Sequence, residues 1–157
     1  MRRVEVRGSQ KVAHVNPAVL YERMTDPEAL RRSTPGLKTL EPDGDGRYRV
    51  AVEMGVAAVK GRFEGTIEVA DPKPGEGFTL RMDMQGPSGF VQASVPILLR
   101  ADGDGSVIDY TGEAQVGGTV AGVGQRVLGG IAKWIVGQFF ASLAKEASIS
   151  PSGGASR

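Results

Sequence analysis

Several segments between residues 47 and 116 alternate apolar and polar side chains with the period of two that is typical of a strand with one buried face. The first of these segments carries its apolar residues at Tyr48, Val50, Val52 and Met54. Glycine-rich turns separate the segments, so the pattern predicts an antiparallel meander whose apolar face must be covered by another element. The other segments have these inward positions: Phe63, Gly65, Ile67 and Val69; Phe78, Leu80, Met82 and Met84; Ile108, Tyr110, Gly112, Ala114 and Val116.

The residues before the meander predict one strand and two short helices. Val4 and Val6 alternate with charged residues, which indicates a first strand. Asn16-Pro17 and Asp26-Pro27 each place a capping side chain before a proline at the first helical position. The chain therefore opens in the order strand, helix, helix.

Residues 119–147 contain no proline and predict one long C-terminal helix that covers the sheet. Six apolar residues at helical spacing form its predicted inward face, and we expect Trp134 to be largely buried. These residues are Val127, Leu128, Ile131, Trp134, Ile135 and Phe139. The Ser- and Gly-rich residues 148–157 predict a disordered tail after a single domain spanning residues 1–147.

The second half of this helix is apolar on more faces than one sheet can cover. Val136, Phe140 and Leu143 spread around the circumference, and Lys133 adds a positive charge. We therefore predict that these four residues contact a membrane surface or a protein partner.

Glycines at positions 122, 124, 129, 130 and 137 lie within the predicted helix. Each glycine costs a helix about 0.5–1 kcal/mol relative to alanine. Two interpretations stay open: close packing of the helix backbone on the sheet, or a lid whose opening costs little free energy.

Composition narrows the functional classes. The 157 residues are 40% hydrophobic and 24% charged, as in a folded globular domain, and the formal net charge of +1 argues against nucleic acid as a partner. Cysteine is absent, which excludes disulfides and thiol chemistry. The start of the sequence has no signal-like segment, and the longest uncharged apolar stretch, residues 134–144, is far shorter than the roughly 20 residues of a bilayer-spanning helix. We expect a cytoplasmic protein.

Residues suited to catalysis are scarce. His14 is the single histidine, so a histidine-based triad or metal site has no second nitrogen or sulfur ligand. The pairs Asp43/Asp45 and Asp102/Asp104 fall in glycine-rich turns, where aspartate is common for conformational reasons. The glycine-rich residues 117–122 lack the lysine of a phosphate-binding loop. We predict no catalytic residue and no metal site.

Several short motifs resemble those of a known family. The element order resembles the helix-grip fold of the START-like (SRPBCC) superfamily, which is also called birch-pollen-allergen-like. Over about residues 4–143 the motifs resemble the CoxG family of carbon monoxide dehydrogenase subunits. The motifs are Asp26-Pro27-Glu28 with Pro35-Gly36, Val59-Lys60-Gly61-Arg62-Phe63-Glu64-Gly65, Gly117-Gly118, Gly124-Gln125-Arg126, Gly129-Gly130 and Phe139-Phe140.

The resemblance implies an α+β fold in which a curved antiparallel sheet of about seven strands wraps around the C-terminal helix, with two short helices after strand 1. It implies a non-catalytic protein that holds an apolar, lipid-like or quinone molecule and needs no covalently bound cofactor. It further implies association with a CO dehydrogenase-type molybdenum hydroxylase, either in recruiting that enzyme to the inner face of the cell membrane or in electron transfer. A homodimer is compatible with it.

In a helix-grip fold the inward Met and aromatic residues form either plain core or the wall of a ligand cavity, and small residues such as Gly65 and Gly112 favour the cavity. The predicted ligand-binding residues are Val52, Met54, Phe63, Ile67, Phe78, Leu80, Met82, Met84, Phe90, Tyr110, Val127, Ile131, Trp134, Ile135 and Phe139. Two alternatives stay open. The first is a polyketide cyclase-like enzyme with Tyr110 as its acid. The second is a protein-docking adaptor whose cavity is vestigial.

Overall fold

The computed structural model describes residues 2–34, 36–56 and 59–149; the side chains at 2, 56, 59, 120, 123, 132, 135, 136 and 143–149 are not described. Strands and helices follow the predicted order of one strand, two short helices, six strands and a C-terminal helical region. The elements are β1 (Arg2–Val12), α1 (Pro17–Met24), α2 (Pro27–Ser33), β2 (Leu37–Pro42), β3 (Arg47–Val56), β4 (Val59–Lys73), β5 (Gly77–Gly86), β6 (Gly89–Asp102), β7 (Gly105–Gly117), a 3-10 segment (Gly118–Val123) and α3 (Gln125–Ile149).

The two short helices begin at the predicted caps. The side chain of Asn16 accepts a hydrogen bond from the backbone N–H of Val19 at 2.9 Å, and that of Asp26 accepts one from Glu28 at 3.3 Å. In each case a proline occupies the next position, where it lacks only an N–H that would have had no partner within the helix. These caps fix where the chain turns back over the sheet.

The seven strands form one curved antiparallel sheet in the order β1-β7-β6-β5-β4-β3-β2. The predicted meander is confirmed, and β1 closes it by pairing with β7. The sheet's close strand contacts explain two inward glycines. A β-carbon at Gly65 would collide with the carbonyl oxygen of Asp83, and one at Gly112 with that of Ser94. These two glycines let neighbouring strands approach closely, so they do not show that interior volume is left unfilled.

The C-terminal helical region has two parts, so the prediction of one continuous helix from residue 119 is wrong at its start. Gly124 has φ +104°, a backbone conformation that no helix contains, and it separates the 3-10 segment from α3. α3 continues to Ile149, past the predicted beginning of the tail at residue 148. Residues 150–157 of that tail lie outside the described residues.

α3 lies over one side of the sheet. Its backbone is nearest to β1, α2 and α1, and it is farther from the other six strands. Where the distance between α3 and the sheet is larger, only side chains that extend from the helix and from the strands can make contact. Within the described part of the chain, no helix is long and apolar enough to span a membrane.

Candidate functional site

The interior divides into two apolar clusters that differ in how many of their members remain partly exposed. The first, here the closed cluster, has twelve buried members and six partly buried ones packed against it among the described residues. The second, here the open cluster, has nine buried members and eleven partly buried ones. Because partly buried apolar side chains inside a fold are accessible to a small molecule, the open cluster is the candidate binding site.

The closed cluster lies at the α1 end of the fold. Its buried members are Val6, Val12, Val15, Leu20, Met24, Ala29, Phe78, Ile97, Leu99, Ile108, Tyr110 and Phe140.

The open cluster lies at the opposite end. The inward residues at the end of β3 (Met54), the start of β4 (Phe63), the end of β5 (Met84) and the start of β6 (Val91) all belong to it. In an antiparallel sheet these strand ends meet at one edge, here called the hairpin end, where the β3–β4 and β5–β6 turns and the 3-10 segment lie. The buried members are Val4, Leu30, Leu40, Val50, Phe63, Met84, Ala114, Val116 and Leu128, and the partly buried ones are Leu37, Tyr48, Val52, Met54, Ile67, Met82, Val91, Ala93, Ala121, Ile131 and Phe139.

Most of the predicted ligand-binding residues face the interior, but they divide between the clusters. Phe78, Leu80 and Tyr110 belong to the closed cluster, and Phe139 packs against both clusters. The others that face inward belong to the open cluster. They are Val52, Met54, Phe63, Ile67, Met82, Met84 and Ile131.

Strand β6 supplies wall residues that the sequence interpretation missed. Val91 and Ala93 face inward, and Ala93 pairs with Met82 on β5 and Ala114 on β7. The prediction chose Phe90 because it is aromatic, and that choice is wrong. Phe90 lies on the outer face of the sheet, where its ring occupies the space over Gly117. Successive residues of a strand point to opposite faces, so Phe90 points away from the interior that Val91 faces.

The rotational phase of α3 differs from the prediction. Trp134, expected to be largely buried, is 50% exposed, and Val127 is 44% exposed. Leu128, in contrast, is buried in the open cluster. Trp134 follows Leu128 by six residues, which at about 100° per residue places it about 240° around the helix, away from the sheet. Both tryptophan and valine therefore lie on the outward face.

Phe140 was predicted to contact a membrane or partner, and this is wrong because the residue is only 3% exposed. Its ring centre lies 5.6 Å from that of Tyr110 and 5.3 Å from that of Phe139. Lys133 is exposed, as predicted. The side chains of Ile135, Val136 and Leu143 lie outside the described residues.

The glycines of α3 have no close neighbours among the described residues. A β-carbon at Gly129, Gly130 or Gly137 would lie in open space. The structure therefore contradicts the interpretation in which these glycines let the helix backbone pack closely on the sheet. The lid interpretation stays a prediction.

Tyr110 is a buried residue whose side chain can ionise. Burial raises the pKa of its phenol, and the described residues offer its hydroxyl no hydrogen-bond partner. It lies in the closed cluster, next to Phe140 and over Gly8 of β1.

The sole histidine lies outside both clusters. Its Nδ1 is 2.5 Å from Oδ2 of Asp104, and both side chains are about three-quarters exposed (77% and 74%). This contact ties the end of β1 to the β6–β7 turn on the surface. Among the described residues, no group of three histidine, aspartate or glutamate side chains could hold a metal ion.

Comparison with known families identifies the chain. The family model for CoxG, a subunit of carbon monoxide dehydrogenase, matches residues 8–148. The chain belongs to the CoxG family. No curated protein sequence matches it.

Several solved structures share the fold of this chain. A conserved protein from Geobacillus kaustophilus is 35% identical to this CoxG-family chain, with 93% of this chain and 96% of that one covered and a TM-score of 0.89. Two more distant structures share the fold. Ara h 8.0201 is 13% identical, with 95% of this chain and 100% of that one covered and a TM-score of 0.68. TTHA0849 from Thermus thermophilus is 16% identical, with 92% of this chain and 97% of that one covered and a TM-score of 0.67. The predicted START-like superfamily is confirmed.

Proposed function

We propose that this CoxG-family chain is a non-catalytic carrier that holds an apolar, lipid-like or quinone molecule against the open cluster, between the sheet and α3. The observation that carries the proposal is the set of inward apolar side chains that remain partly exposed, among them Met54, Ile67, Met82 and Ile131. Burying a fully exposed Met or Ile side chain is favourable by about 1.5–3 kcal/mol, and each of these partly buried side chains would gain a part of that free energy. A guest that covers several of them is bound by the same effect that builds a core.

The walls suit a guest of flexible shape. Met54 and Met82 contribute unbranched thioethers that adjust to irregular surfaces, and Ala93 and Ala114 present little volume between them. These side chains give contact area without fixing an orientation by hydrogen bonds. Affinity should therefore depend on apolar area more than on the exact structure of the guest.

The direct test is extraction of the natively purified protein with organic solvent, followed by mass spectrometry. We expect a quinone or another lipid-like molecule in near-stoichiometric amount. The matched variants are Ala93→Phe, which fills the open cluster, and Ser94→Phe, which places the same ring on the exposed outer face of β6. Ala93→Phe should lose the guest and Ser94→Phe should keep it. If Ala93→Phe does not fold, Ile131→Phe on α3 gives the same test. Absence of any guest from the wild type, together with failure to take up added quinone, would refute the proposal.

The family description supports a partner for this carrier. We assign the loaded protein to a CO dehydrogenase-type molybdenum hydroxylase, to which it would deliver or from which it would accept a quinone. The experiment measures CO-dependent quinone reduction by such an enzyme with and without the carrier. Ala93→Phe should give no stimulation. Equal rates with wild type, variant and buffer would contradict the assignment.

A second function, contact with a membrane surface, is supported by the outward face of α3. Trp134 and Val127 expose apolar area there, and the exposed Arg126 and Lys133 lie beside them. Residues 125–145 contain no acidic side chain. An aromatic and basic helix face of this kind suits an anionic bilayer, with about 1 kcal/mol contributed by each basic residue.

Flotation with vesicles tests this contact. The wild type should float with anionic vesicles and remain behind with zwitterionic ones. Trp134→Ser should reduce flotation several-fold, whereas Gln138→Ser, at an exposed polar position of the same helix, should not. Equal behaviour of both variants would exclude this face as the contact.

A further inference from the structure

The two ends of the sheet differ in charge. The β2–β3, β4–β5 and β6–β7 turns lie together at the end opposite the hairpin end, here called the acidic end. The sequences that form the hairpin end, residues 54–61, 85–90 and 117–127, contain no acidic residue. The turns of the acidic end and the strand ends beside them contain six: Asp43, Asp45, Asp71, Glu76, Asp102 and Asp104.

The hairpin end is one continuous surface. The ring of Pro87, in the β5–β6 turn, lies against Gly61 near the start of β4. On the other side of the same turn, Gly89 lies so close to Gly118 of the 3-10 segment that a β-carbon at Gly118 would collide with it. These contacts hold the β3–β4 hairpin, the β5–β6 hairpin and the 3-10 segment together, so the three present one face to solvent.

This face carries positive charge. Lys60 and Arg126 are exposed there, and among the described residues neither has an acidic partner. Of the four carboxylates that come next along β3, β4, β5 and β7, only Asp83 is not paired with a base among the described residues. The three pairs are Glu53 with Lys38 at 3.7 Å, Glu64 with Arg62 at 2.7 Å and Glu113 with Arg3 at 2.6 Å. Basic side chains with few free carboxylates beside them produce a positive potential, which attracts an anionic surface.

We infer that the hairpin end meets an anionic membrane surface end-on, with the acidic end directed away from the bilayer. The inference rests on the membrane contact proposed above and adds which end of the molecule makes it. In this orientation negative charge is kept away from the anionic lipids, and the open cluster lies next to the bilayer.

Two observations favour a bilayer over an acidic protein as the occupant. The face continues onto the outward side of α3, where Val127 follows Arg126 and Trp134 lies two helical turns further on. The described part of the face also lacks the exposed aromatic anchor that is common in protein interfaces, since Phe90 is partly buried with its ring over Gly117.

Two exposed lysines near opposite ends of β4, Lys60 and Lys73, allow a matched test. Lys60→Glu and Lys73→Glu change the net charge equally. Binding is measured by flotation with vesicles of phosphatidylcholine alone and of phosphatidylcholine mixed with phosphatidylglycerol. The wild type should bind only the mixed vesicles. Lys60→Glu should weaken this binding about tenfold or more, because it replaces an attraction by a repulsion, and Lys73→Glu should weaken it less than about twofold. Equal losses would show that only net charge matters and would overturn the inference.

Site-specific labelling reports the orientation directly, because the chain has no native cysteine. Thr119→Cys at the hairpin end and Ala101→Cys at the acidic end, both exposed positions, each carry an environment-sensitive dye, and the fluorescence of Trp134 reports the outward face of α3. On the mixed vesicles the dye at position 119 should become protected from a soluble quencher, and the dye at position 101 should not.

The possible failures are distinguishable. Protection of Trp134 without protection at position 119 would place the contact on α3 alone, which refutes this inference and leaves the proposed α3 contact standing. Failure of the wild type to bind any vesicle would refute both membrane contacts and leave the hairpin end to a protein partner. Neither result bears on the carrier function, which is tested by extraction of the guest.

Discussion

Replacing two glycines of α3 by alanine should stabilise the protein. Gly130 is exposed, Gly137 is partly exposed, and a β-carbon at either site meets open space. Alanine is favoured over glycine in a helix by about 0.5–1 kcal/mol, since glycine loses more backbone entropy on folding. The double variant Gly130→Ala/Gly137→Ala should therefore raise the free energy of unfolding by about 1–2 kcal/mol. At about 2–4 °C per kcal/mol for a chain of this size, the midpoint should rise by about 2–8 °C.

The assay is urea and thermal unfolding followed by circular dichroism, with coincident transitions as the check for two-state behaviour. Gly124→Ala is the matched control, because its β-carbon also meets open space but its backbone has φ +104° and ψ 153°. That conformation is almost restricted to glycine, so the same substitution should there destabilise by about 1–3 kcal/mol. An unchanged or lowered midpoint in the double variant would show that the glycines serve a contact, and the argument from open space would fail.

Three further predictions concern single positions. Phe140→Ala should destabilise by about 3–5 kcal/mol in urea unfolding, because it empties a buried ring site, while Trp134→Ala should cost far less; similar losses would contradict the phase of α3. The hydrogen bond from Arg100 lowers the pKa of Asp109, so this group stabilises the fold at neutral pH and loses that effect as pH falls through its lowered pKa; Asp109→Asn should be less stable than wild type at pH 7 and should converge with it well below about pH 4. His14→Ala should leave guest binding unchanged in titration, and a marked loss would show that the surface contact with Asp104 supports the site.

The strands and caps were predictable because each is set by local chemistry. The alternation at Val50, Val52 and Met54 depends only on the period of a strand. The start of α1 depends on Asn16, whose side chain accepts a hydrogen bond from a backbone N–H three residues later in the chain. The patterns along the chain also predicted the order of elements, which the structure confirms, and the motifs predicted the CoxG family, which the comparisons confirm. The same parity rule, applied to β6, would have excluded Phe90 and found Ala93.

The open and closed clusters could not be separated by sequence. Met82 and Phe78 lie on the same face of β5, four residues apart, and one belongs to each cluster. What distinguishes them is where α1, α2 and α3 cross the sheet. That placement depends on contacts between residues far apart in the chain, such as Tyr110 with Phe140. Hydrophobic periodicity gives the face of a strand but not the element that covers it.

The phase of α3 was mispredicted because its sequence is apolar on more than one side. A helix with Val127, Leu128, Ile131 and Trp134 can turn either flank toward the sheet at similar cost in apolar area. Which flank of α3 faces the sheet depends on the side chains of the strands and helices that it contacts. At its far end Phe140 is buried in the closed cluster beside Tyr110, and the helical period places Trp134, six residues earlier, about 240° around the helix from it. The exposed tryptophan is therefore consistent with a buried Phe140, and Leu128 and Ile131 on the inward face pack into the open cluster.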